Sequence, residues 1–133
     1  MFKRIEKLEK EHEMIIQTLS SARSLGITSR EARKKLLEAK SVLLEHLQNE
    51  DTYLYPVLKK ASVNDEKLKT LISESAAEID DVAGMATRFF EKCENNISDE
   101  QYIDDFKELF KTLLYRIHNE ENSIYAEYNR IIS

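Results

Sequence analysis

Four amphipathic segments follow one another in this chain, and each is long enough to form a helix that crosses a small domain. Their apolar residues recur every three or four positions, the spacing that lines one face of an α-helix. Only two glycines and one proline occur in 133 residues, so few positions can interrupt the segments. The pattern predicts an all-α fold: a single domain over residues 1–133, built as an up-down-up-down antiparallel four-helix bundle.

Terminating and capping residues set the bounds of the first two predicted helices. The first helix runs from about Phe2 to Ser24 and stops before Gly26. Thr28-Ser29-Arg30-Glu31 has the pattern of a capping box that opens the second helix. This helix reaches about Lys60, and Pro56 should kink its last turns.

The other two helices have similar signals. Asn64 or Asp65 starts the third helix. Ser98-Asp99-Glu100-Gln101 is a second capping box, and the fourth helix should run from it without a break to the end of the chain. The connections are short, which favours antiparallel neighbours.

Composition and charge exclude several partners. A net charge of −5 argues against a surface for nucleic acids or anionic membranes. No apolar run has the length of a membrane span, and the first residues lack the apolar core of a secretory signal. The single cysteine, Cys93, suits a reducing compartment. We therefore expect a cytoplasmic protein with no nucleic-acid or membrane partner.

Six polar residues lie on the helix faces that should point into the core, at similar depths. They are His12, His46, Glu50, Ser75, Arg116 and Glu120. His46 and Glu50 are one turn apart and share a face, and metal sites inside helix bundles are built from such pairs. Glu50 and Glu120 would repel each other in one cavity unless a cation lies between them.

The cation between Glu50 and Glu120 could be a metal ion or an arginine side chain, and the sequence does not decide between them. His12, His46, Glu50 and Glu120 make a plausible four-ligand set for one Fe, Mn or Zn ion. Arg116, one turn before Glu120, could instead bind a carboxylate with its permanent charge. A guanidinium at that position would also lower the affinity for a divalent cation by repulsion.

The orientation of the fourth helix has an alternative. His118 lies about 200° around the helix from Arg116, on a face shared with Leu114 and Tyr125 and nearer the bundle edge. A one-step rotation would bring His118 and Glu121 inward in place of the first pair, but it would turn apolar residues away from the core.

Several of these residues also have simpler interpretations. His12 could be a hydrogen-bonded core histidine, and Ser75 a small residue where helices pack. Tyr53 and Tyr55 are expected as core or rim aromatics, and a tyrosine hydroxyl near Glu50 could add a hydrogen bond. The acidic cluster of Glu78, Asp80 and Asp81 is expected on the solvated surface.

A weak internal repeat relates the two halves of the chain. The stretch from His46 to Pro56 parallels the stretch from Arg116 to Ala126, and Glu11-His12 parallels Glu74-Ser75.

Glu11-His12-Glu13-Met14-Ile15 and His46–Pro56 resemble the hemerythrin-like family, also called HHE cation-binding domains. The second stretch follows that family's H-x-x-x-E-E-x-x-L-F-P, with Asp51 and Tyr55 as mild variants. The resemblance covers essentially the whole chain.

The resemblance implies an up-down bundle that holds two iron atoms through histidines and two bridging carboxylates. His12, His46, Glu50 and Glu120 match ligand positions of the family. Ser75 and Arg116 stand where family members carry histidines, which implies that the second iron position is lost or badly weakened.

Two functions follow as hypotheses. The first is a domain that binds one metal ion, most simply iron, in a sensing, storage or oxygen-related role. The second is a metal-free bundle that acts as a structural or regulatory interaction module, with a polar network centred on Arg116. The chain has no recognisable nucleophile–base arrangement and no glycine-rich phosphate loop, so we favour binding over catalysis.

Overall fold

The computed structural model describes residues 3–133, and every regular element in that range is a helix. The elements are α1 (Lys3–Leu25), α2 (Arg30–Asn49), a π-helical turn (Glu50–Leu54), α3 (Tyr55–Ala61), α4 (Glu66–Glu94), α5 (Glu100–Asn122) and α6 (Ile124–Ile132). The all-α prediction is confirmed for these residues, while the predicted start at Phe2 lies outside them. No helix in this part of the chain combines the length and apolar character needed to cross a membrane.

The helix ends lie at, or within one residue of, the capping and terminating residues predicted from the sequence. Gly26 ends α1 with φ of +80°, a conformation that favours glycine. Asp65 caps α4 as predicted, whereas Ser29 and Asp99 cap α2 and α5 one residue later than the capping-box patterns indicated. Each of these three side chains accepts a backbone N–H at 3.1 Å, which satisfies a donor that the first helical turn leaves free.

The second predicted helix contains a wider turn before its proline. In the π turn that follows α2, the N–H of Tyr55 bonds to the carbonyl of Glu50, five residues back. Pro56 then lies in the first turn of α3, where its missing N–H is tolerated. The irregularity expected at Pro56 is therefore placed just ahead of it, and π turns of this kind occur often at functional sites.

The prediction of one continuous fourth helix is wrong. Ser123 leaves the helical conformation (φ −125°, ψ −75°), and α6 starts at the next residue. In an unbroken helix, residues five apart would point about 140° away from each other. With the break, Glu120 and Tyr125 are both buried, at 2% and 1% exposure. The expectation that Tyr125 lies near the bundle edge is therefore wrong as well.

A polar layer separates two apolar clusters inside the bundle. The larger cluster includes Ile15, Leu43, Val82 and Leu113, and the smaller includes Leu8, Leu54, Ile72 and Ile124. Each long helix contributes a buried polar residue that lies, along the chain, between residues of the two clusters, as His12 does between Leu8 and Ile15. Helix α1 packs on α2 and α5, and α4 packs on α2 and α5, so all four long helices border the polar layer.

Candidate metal centre

Four side chains meet in the polar layer: His12 from α1, His46 from α2, Glu50 from the π turn and Glu120 from α5. One donor atom of each lies within 4.8 Å of the other three, and all four residues are at most 2% exposed. His12 Nε2 is 3.1 Å from Glu120 Oε1, and His46 Nε2 is 3.2 Å from Glu50 Oε2. Two imidazoles with two carboxylates suit Fe, Mn and Zn, so this cluster could hold such an ion.

Two further carboxylates orient the histidines from outside. Glu11 Oε1 lies 2.8 Å from His46 Nδ1, and Asn49 donates a hydrogen bond to the other oxygen of Glu11. Glu121 Oε2 lies 2.9 Å from His12 Nδ1. A carboxylate that accepts from Nδ1–H fixes a proton there, so that Nε2 would be the atom that supplies a lone pair to a bound ion, the arrangement found around histidine metal ligands. Both histidines therefore present Nε2 to the shared space.

Arg116 fills the other side of the layer. Its Nη2 contacts Ser75 Oγ at 2.8 Å, Glu120 Oε2 at 2.7 Å and the hydroxyl of Tyr55 at 3.3 Å. Its Nη1 donates to Glu78 at 2.9 Å. One nitrogen of a permanent cation is thus enclosed by three oxygens, which resembles the environment of a bound metal ion.

The layer therefore has two halves that the internal repeat relates. The histidine half consists of His12, His46, Glu50 and Tyr125, and the arginine half consists of Ser75, Arg116, Tyr55 and Glu78. Glu120 joins them, since its Oε1 faces the histidines and its Oε2 faces Arg116.

Each half contains one buried tyrosine at the equivalent repeat position. Tyr125 donates a hydrogen bond to Glu50 Oε2 at 2.8 Å, and its hydroxyl is 3.2 Å from His12 Nε2. The hydroxyl of Tyr55 lies 2.6 Å from Ser75 Oγ. A hydrogen bond from a tyrosine to Glu50 was foreseen, but it comes from Tyr125, and Tyr53 is 46% exposed.

Burial and charge together set the protonation of the layer. Burial lowers the pKa of His46, but hydrogen bonds with Glu120, Glu50 and Glu11 outweigh it and raise this pKa to about 10. Burial raises the pKa of Glu50 to about 7, although His46 opposes it. Burial would also raise the pKa of Glu120, yet hydrogen bonds from His12 and His46 hold it well below its usual range. Without a metal ion, His46 carries a proton that a bound cation would displace.

One buried carboxylate oxygen of the polar layer has no protein partner. Glu50 Oε1 accepts no hydrogen bond from any of the described residues, whereas Oε2 of the same carboxylate contacts Tyr125 and His46. Such an oxygen costs about 1–3 kcal/mol of desolvation unless something binds it. A cavity of about 20 Å³ adjoins the cluster, and its lining includes apolar residues such as Ile15 and Val82. An unpaired carboxylate oxygen and an adjacent small space fit a metal ion.

The orientation of α5 answers the question left open by the sequence. Arg116 and Glu120 point inward, while His118 is exposed and bonds only to Asn122 among the described residues. Glu121 nevertheless reaches His12 from the edge of the layer.

Sequence reasoning missed Glu11, Glu121 and Tyr125 as members of the site, and it placed Glu78 on the surface. Glu78 is 45% exposed at its side chain, as expected, but its ion pair with Arg116 was not foreseen. The repeat offered a signal for Tyr125, because it pairs this residue with Tyr55.

The fold and the cluster define a helical bundle with a buried histidine and glutamate site able to take a cation. The family model of the hemerythrin HHE cation binding domain matches residues 3–128. The chain therefore belongs to the hemerythrin family, and the resemblance noted in its motifs is confirmed. Comparison with curated proteins and with solved structures gives no significant match.

Proposed function

We propose that this chain is a single hemerythrin-like domain over residues 1–133 that binds one metal ion, iron in the first place, through His12, His46, Glu50 and Glu120. The proposal includes an up-down-up-down order of the four long helices, which the short connections of residues 26–29, 62–65 and 95–99 support. It also includes a cytoplasmic location, which the single cysteine supports.

The unpaired Oε1 of Glu50 is the observation that carries the metal-binding proposal. Three of the four proposed ligands already have partners that would orient them toward an ion, since Glu11, Glu121 and Arg116 hold His46, His12 and Glu120. Glu50 keeps one buried oxygen free at the same place. An ion bound there would satisfy this oxygen and separate the two carboxylates.

We expect one bound ion and not two, because Arg116 occupies the other side of the layer. Its guanidinium already contacts Glu120, Ser75 and Tyr55 on the side where family members carry two more histidines. A second dication there would meet a fixed positive charge and no imidazole. Reversible dioxygen binding of the hemerythrin kind uses both irons, so we favour a sensing, storage or other oxygen-related role.

The bound metal would supply Lewis acidity and, for iron, a one-electron redox couple. The protein's own residues would do the rest: the outer carboxylates fix the histidine rings, and the apolar wall near Ile15 and Val82 limits access of water to the site.

The ion pairs of His46 and Arg116 with the buried carboxylates favour a second candidate function, one without metal. The raised pKa of His46 gives the histidine half a cation of its own, and Arg116 gives one to the arginine half. The layer could thus persist without metal, and the bundle would then act as a structural or regulatory interaction module.

Metal analysis of two histidine variants separates these functions. After loading with ferrous iron and desalting, we expect about one iron per chain in the native protein, and none in His46→Ala. The matched control is His118→Ala, which removes an exposed histidine of the same chain and should keep its iron. Native protein that retains no iron, manganese or zinc would contradict metal binding and favour the interaction module.

A further inference from the structure

The hydroxyl of Tyr125 lies among the proposed ligand atoms. It is 2.8 Å from Glu50 Oε2, 3.2 Å from His12 Nε2 and 3.5 Å from His46 Nε2. These atoms belong to three different elements, and each is the atom that its residue presents to the shared space. A tyrosine whose role was to donate a hydrogen bond to Glu50 would not need to contact the two histidines as well.

These separations match those between atoms bound to one ion. Ligand atoms about 2.1 Å from a common metal lie roughly 3.0–3.4 Å from each other in octahedral or tetrahedral geometry. The three distances from the Tyr125 hydroxyl, 2.8, 3.2 and 3.5 Å, bracket that range. They compare directly with the 3.1 and 3.2 Å distances within the four-residue cluster.

The packing of Tyr125 holds its hydroxyl in place. The side chain is 1% exposed, and its ring stacks on that of His12 with an interplanar angle of 5°. The break at Ser123 turns the residue toward the layer, so the position depends on backbone structure as well as on side-chain rotation.

We propose that Tyr125 is a fifth protein ligand of the metal and that its oxygen selects ferric over ferrous iron. This inference rests on the metal-binding function proposed above. On binding, the O–H bond of Tyr125 is replaced by an oxygen–iron bond, the proton leaves to water, and no electron is transferred. Burial and the neighbouring Glu120 and Glu50 raise the pKa of Tyr125, so it is the bound ion that would displace the proton. The resulting anionic oxygen beside two carboxylates would favour the trivalent ion over the divalent one.

Tyr55 provides the matched control inside the same protein. It occupies the equivalent repeat position and is also buried, but its hydroxyl contacts Ser75 and Arg116 in the arginine half. Tyr55→Phe therefore removes the same group from a similar environment without touching the proposed ligands.

Resonance Raman spectra of the oxidised, iron-loaded protein test the inference. We expect a visible charge-transfer band and tyrosinate vibrations in the native protein and in Tyr55→Phe, and neither in Tyr125→Phe. Because loss of even an outer partner typically lowers metal affinity 10- to 100-fold, ferric affinity of Tyr125→Phe should fall at least about 10-fold.

The outcomes distinguish this inference from the function on which it rests. Native protein that holds iron without tyrosinate vibrations overturns the role of Tyr125 and leaves metal binding intact. Tyrosinate vibrations that persist in Tyr125→Phe likewise overturn it. Native protein that takes up no iron overturns both proposals.

Discussion

The histidine half and the arginine half of the polar layer are related by the weak internal repeat, but their buried charges are balanced in different ways. In the histidine half, two imidazoles lie beside a carboxylate that keeps one oxygen unpaired. In the arginine half, a permanent cation has oxygen partners on both terminal nitrogens. The first half has room for an exchangeable cation, whereas the second half already contains one that cannot leave.

This difference shows that a bundle core can balance a buried carboxylate with one of its own side chains. Arg116 places a positive charge opposite Glu120, and the small Ser75 lies beside the guanidinium. The cost of two buried carboxylates is offset in either case. What changes is whether the cation is part of the chain or comes from solution.

The largest effect should come from removing the permanent cation. In the metal-free protein we expect Arg116→Ala to lower the free energy of unfolding by about 3–5 kcal/mol, because Glu120 would lose its buried partner. Urea unfolding followed by circular dichroism measures this. Arg130→Ala, at an exposed arginine paired with Glu127, is the control and should leave the midpoint nearly unchanged. Equal effects of the two variants would contradict the proposed role of Arg116.

A smaller effect should appear as a pH dependence that comes from the histidine half of the layer and not from the arginine half. The pKa of His46 is raised from 6.5 to about 10 in the folded protein, so its stabilising contribution is complete below pH 6.5 and is lost as the pH rises through 10. The raised pKa of Glu50, about 7 in place of 4.5, acts in the same direction between these two values. The metal-free protein should therefore become less stable from about pH 5 to pH 10.

Urea midpoints across that range, with His46→Gln and His118→Gln compared, measure this dependence. The first variant should flatten the upper part of the profile, and the second should leave it unchanged, since His118 is exposed. A native profile that rises or stays level over the range would show that His46 does not carry the proton.

The side chains on the inward faces of the helices could be predicted from the sequence. The positions of His12, His46, Glu50, Arg116 and Glu120 on apolar faces predicted which side chains meet, because each face of a regular helix follows from spacing alone. The family's motif added the ligand assignment that spacing could not give.

The site residues that the sequence did not predict depend on helix packing and on a helix break, which residue spacing does not specify. Glu11 and Glu121 lie beside the inward face, and their reach to a histidine of another helix depends on how closely the helices pack. Tyr125 enters the site only because the helix breaks at Ser123, and no glycine or proline marks that break. The polar network of the arginine half likewise required Tyr55 to be placed by the π turn.

The most direct test of the account is the metal-to-protein ratio of the native chain and of the double variant Ser75→His with Arg116→His. Both are loaded with ferrous iron under the same conditions and analysed after desalting. The double variant replaces the permanent cation by two imidazoles and so gives the arginine half the donor types of the histidine half. We predict one iron per native chain and two per variant chain. A native chain with two irons, or a folded variant that still binds only one, would contradict the claim that Arg116 takes the place of the second metal.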